Sequence, residues 1–70
     1  MGRIAAIGES FRIEGLGLAG VLVLPGDDPE VVRNSWAALP TDVSVVVLTP
    51  AAATVLDDER PARLTVVMPP

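Results

Sequence analysis

Four short runs rich in β-branched residues alternate with three helix-start signals along this chain, and few folds accommodate that order. Arg3-Ile4-Ala5-Ala6-Ile7, closed by Gly8, predicts a first strand buried on both faces. Ser10 is placed to cap a short helix from Phe11 to about Gly17, with Phe11 and Ile13 or Leu16 turned inward. Val21-Leu22-Val23-Leu24 predicts a second strand, stopped by the Pro25-Gly26 turn. Asp28 then offers an N-cap, Pro29 suits the first helical position, and Glu30 complements the helix dipole. Val32, Trp36 and Leu39 follow on one apolar stripe, and Pro40 ends that helix. Val43 to Leu48 is the most β-prone stretch and predicts a central strand. Thr49-Pro50 repeats the cap and proline before a short helix over Ala51 to Leu56. Asp57-Asp58-Glu59-Arg60 reads as a solvated link and Pro61 as a break. Leu64 to Met68 is the last strand, stopped by Pro69-Pro70.

The predicted order is βαβαβαβ, and right-handed crossovers make such a sheet parallel. Winding both ways from strand one gives the order 2-1-3-4, the flavodoxin-like α/β arrangement of three layers, as a single domain over residues 1–70. At this length the entropy of ordering the chain nearly cancels the gain from burial. A partner that covers leftover apolar surface would add stability.

Missing residue types narrow the chemistry. The chain has no cysteine, histidine, tyrosine or lysine. That removes thiolate and imidazole ligands, the usual acid–base group near neutral pH, and the P-loop and Schiff-base lysines. Ser10 and Thr49 have nothing beside them to activate a hydroxyl, so no catalytic site, cofactor or metal is expected. The net charge of −4 and five scattered arginines (Arg3, Arg12, Arg33, Arg60, Arg63) leave no basic footprint for nucleic acid. The longest apolar run, Leu18 to Leu24, is interrupted by Gly20 and far too short to span a membrane, and no signal peptide is evident. A cytoplasmic protein is expected.

Three motifs carry bland readings. Gly15-Leu16-Gly17-Leu18-Ala19-Gly20 matches the dinucleotide fingerprint by letter, yet it leaves a helix and enters a strand, whereas phosphate binding needs the reverse. A receiver domain of two-component signalling shares the strand order. Thr49 stands where its phosphorylated aspartate would be, Glu9 stands alone where an acidic pair is needed, and there is no lysine. Asp27-Asp28 and Asp57-Asp58-Glu59 read as helix capping and a charged loop rather than cation sites, and Trp36 reads as core.

Three segments together resemble the F subunits of the V-type and archaeal-type rotary ATPases, in a short form lacking that family's C-terminal tail. Ile4-Ala5-Ala6-Ile7-Gly8-Glu9 is similar to the family's opening strand and its Gly-acidic exit. Gly15-Leu16-Gly17-Leu18-Ala19-Gly20-Val21 is similar to its G-[FL]-x-L-A-G-[VI] junction, the most specific of the three. Val45-Val46-Val47-Leu48-Thr49, followed by alanines, is similar to its third strand. The resemblance implies a non-catalytic central-stalk protein. Members of that family dock on the coiled-coil shaft of the rotor, its D subunit, and turn with it. They couple ATP turnover to proton or sodium movement at the cytoplasmic side of the membrane. Strand-end loops are the working side of open α/β sheets, which makes Ser10, Arg12, Pro25 and Thr49 the expected protein contacts, with edge strands two and four as equal candidates. The alternative is a free-standing regulatory or small-ligand domain, binding a small anion at the first helix N-terminus.

Overall fold

The computed structural model describes residues 2–58 and 64–69, and of Leu16, Leu18 and Ala19 only the backbone. Expectations that fall on Leu16, Glu59, Arg60, Pro61, Arg63 and Pro70 therefore lie outside the described residues. The elements run β1 (Arg3–Gly8), α1 (Ser10–Ile13), a 3₁₀ segment (Glu14–Ala19), β2 (Leu22–Pro25), α2 (Pro29–Ala37), β3 (Val43–Leu48), α3 (Pro50–Val55) and β4 (Thr65–Val67). All strand pairs are parallel and the sheet order is β2-β1-β3-β4. This is the small flavodoxin-like α/β fold.

Handedness assigns the helices to faces. The crossover from β1 to β2 runs one way across the sheet, and those from β2 to β3 and from β3 to β4 run the other. With every crossover right-handed, α1 lies on one face and α2 with α3 on the opposite one. The core follows that division. Ala5, Ile7, Val46 and Leu48 on the sheet pack with Val32, Trp36 and Leu39 of the α2 region, and with Ala52, Ala53 and Leu56 of the α3 region. The stripe predicted for α2, Trp36 included, is buried as its spacing requires. Ala6, on the α1 face of β1, and Ile13 of α1 are fully buried outside that cluster.

The first helix departs from expectation in three ways. Glu9, not Ser10, is the N-cap residue, with extended backbone and no side-chain cap bond, and Ser10 is already helical. The α-helical part lasts four residues before tightening to 3₁₀ geometry. Phe11 points away from the core and is 76% exposed. With so short a helix, only one side chain faces the sheet squarely, and Ile13 takes that place. The glycines of the fingerprint-like segment close the first crossover, Gly20 supplying the positive φ of 81° that a side chain would resist. The segment lies within the 3₁₀ turn and leads into β2, not into an α-helix.

Candidate functional site

The carboxyl ends of β1, β2 and β3 bring the sequence-predicted contacts to one rim. β1 exits through Gly8 and Glu9, β2 through Pro25 and Gly26, and β3 through Thr49. The exits are bound to each other by backbone hydrogen bonds. The Gly26 amide donates to the Gly8 carbonyl at 2.8 Å, and the Thr49 amide donates to the Ile7 carbonyl at 3.2 Å. A Cβ on Gly8 would overlap the Thr49 side chain, so only glycine lets the two exits come this close.

Thr49 organises the rim from inside. Its side chain has 0% exposure. The hydroxyl donates to Glu9 Oε1 at 2.6 Å and accepts from the Ala52 amide at 3.4 Å, which caps α3. A buried hydroxyl satisfied on both sides presents no surface to a partner, which removes Thr49 as a direct contact. The hydrogen bond from Thr49, above all, holds the Glu9 carboxyl below its ordinary value of 4.5; its own backbone amide lowers it further, burial opposes this, and the charge of Arg12 adds to the lowering.

The other rim carboxylates are engaged too. Asp27 Oδ1 accepts from the Ser10 amide at 3.3 Å, and Asp28 Oδ1 accepts from the Val31 amide at 3.0 Å as the cap of α2. Between the starts of α2 and α3 lies a cleft of about 140 Å³, with Glu9, Asp27 and Asp28 at its edge and Val32, Ala52 and Val55 among its walls. Among the described residues, no three His, Cys, Asp or Glu side chains gather as a metal ion would require. The rim hydroxyls of Ser10 and Thr49 face no histidine or lysine, since the chain contains neither. These bonds hold the rim loops in one geometry.

Ser10 is half-buried, Pro25 is exposed, and Arg12 reaches across the carboxyl end of the sheet to donate from Nη2 to the Pro69 carbonyl at 2.7 Å. Glu9 is the residue that rim reasoning undervalued, because nothing local announces that Thr49, forty positions on, would meet it. On the α1 face, no helix among the described residues lies above β3 and β4. Ile4 pairs with Val45, and Val47 with Val66, all on that side by register. No helix among the described residues is long and apolar enough to cross a membrane. Comparison with known protein families, with characterised proteins and with solved structures finds no match to this chain.

Proposed function

We propose that the chain is a non-catalytic docking component, the F subunit of the central stalk in a V-type or archaeal-type rotary ATPase, bound to the coiled-coil shaft and turning with it. In this reading it sits at the cytoplasmic side, peripheral to the membrane through the complex, and transmits motion between ATP turnover and proton or sodium transport. The observation that carries the reading is the closed rim. In an open α/β sheet the strand ends are where ligands are held. Here Glu9, Asp27 and Asp28 are bonded to Thr49, Ser10 and Val31 of the same chain, which supports a surface that binds rather than reacts. The strand and junction motifs at Ile4 to Glu9, Gly15 to Val21 and Val45 to Thr49 favour this family over other inert α/β domains.

Co-expression with the coiled-coil shaft protein of such a rotor, followed by size exclusion, tests the reading. An equimolar complex that survives dilution is the expected result. A chain that elutes alone at micromolar concentration and binds nucleotide contradicts it. The second reading, a small-ligand domain, draws on the cleft between α2 and α3. At about 140 Å³ that cleft is below the roughly 300–1,000 Å³ of ordinary ligand sites. An anion at the first helix would also meet the Asp27 carboxylate already on the Ser10 amide.

A further inference from the structure

The strands are written for cover on both faces, while the helices supply more of it on the α2 and α3 side, where Val67 at the β4 edge is still 38% exposed. A solvated sheet face normally shows polar residues outward, yet on the α1 side Ile4, Val45, Val47 and Val66 are all aliphatic. Helix α1 and the 3₁₀ segment sit against β1 and β2. On β4, Val66 is 52% exposed, with Leu64 before it at 66%, and at the start of β1, beside β3, Ile4 is 46% exposed. Val45 and Val47 are half-buried.

The uncovered strip has the dimensions of one helix. Two strands span about 10 Å, and an α-helix with its side chains is about 10–12 Å across. A second copy is a poor occupant. Strands β3 and β4, six and three residues long, present roughly 140 Å² of sheet, against the ~800 Å² per partner of a stable interface. Each copy also carries a net charge of −4. A helix that belongs to a larger partner meets neither objection, since it can continue past the strip and make further contacts elsewhere. Charge marks one end of the strip. Arg12 stands there, its guanidinium on the Pro69 carbonyl, and Glu9, the carboxylate that feels its charge, is bonded to Thr49 instead.

We propose that this strip seats a single amphipathic α-helix of a partner protein, with an aliphatic stripe on Ile4, Val45, Val47 and Val66 and an acidic residue beside Arg12. The inference rests on the docking reading above and specifies the surface and chemistry of that contact. Its test is the affinity of the full chain for the purified coiled-coil shaft protein, measured for wild type, Val66→Asp, Arg12→Glu and the control Val31→Asp on α2. A charge buried against an aliphatic stripe, or reversed beside an acid, raises Kd by about tenfold or more. Val31→Asp, an acid in the first turn of a helix, stays within about twofold of wild type. Circular dichroism establishes that each variant folds. If wild type binds and Val66→Asp binds equally well, the strip is not the contact, although the docking reading stands. If wild type does not bind, the docking reading fails, and the strip is judged without the shaft protein. The full chain is then extended through a Gly-Ser linker by an amphipathic helix with a leucine stripe and one glutamate. A rise in Tm that Val66→Asp cancels supports the strip, and no rise overturns it.

Discussion

The Glu9–Thr49 bond joins residues from different strand exits, and its consequences can be read in acid. Glu9 is held below the ordinary glutamate value in the folded chain, so its contribution to stability is full above about pH 4.5 and is lost as pH falls through the lowered folded value. Unfolding below about pH 4.5 should therefore be less steeply pH-dependent in Glu9→Gln and in Thr49→Val than in wild type. Denaturant titration at closely spaced pH values measures this, and identical slopes would show that the bond has no linkage to folding.

Helix starts show how far local sequence reaches. Asp28 and Thr49 each precede a proline, and each makes the predicted cap bond, because an extended cap residue followed by a fixed φ leaves the side chain few other partners. Ser10 has no such proline. The chain turns one residue earlier, at Glu9, and the Ser10 amide goes to Asp27 instead. That partner was invisible locally, since it lies on the far side of β2. Asp28→Ala should accordingly lower stability by about 1 kcal/mol, some 4–8 °C in Tm for a domain of this size. Ser10→Ala should stay within about 0.5 kcal/mol, because its hydroxyl caps nothing. Thermal melts of the two variants decide the matter. Phe11 is the companion case: its apolar character predicted burial, but four residues of helix cannot turn two bulky side chains to the sheet, and Ile13 is the one enclosed.

At the scale of the whole molecule, strand order and the main core were legible because they follow from rules that need no long-range knowledge. Alternating elements give a parallel sheet, winding both ways from strand one gives the order 2-1-3-4, and right-handed crossovers then give the helix faces. The uncovered strip was legible only in part. Strand runs apolar on both faces signal double cover, but which half lacks it depends on counting helices per face once the topology is known. Edge strand β4 falls in that half, which unites the expectation of an edge contact with the exposed Val66. The central claim is that this strip is where the chain is held by its partner. Amide chemical-shift mapping of the labelled chain on addition of the coiled-coil shaft protein measures it most directly. The largest changes are expected at Ile4, Val45, Val47, Val66 and Arg12, with α2 and α3 nearly unmoved. Changes confined to α2, α3 and the cleft between them would contradict it.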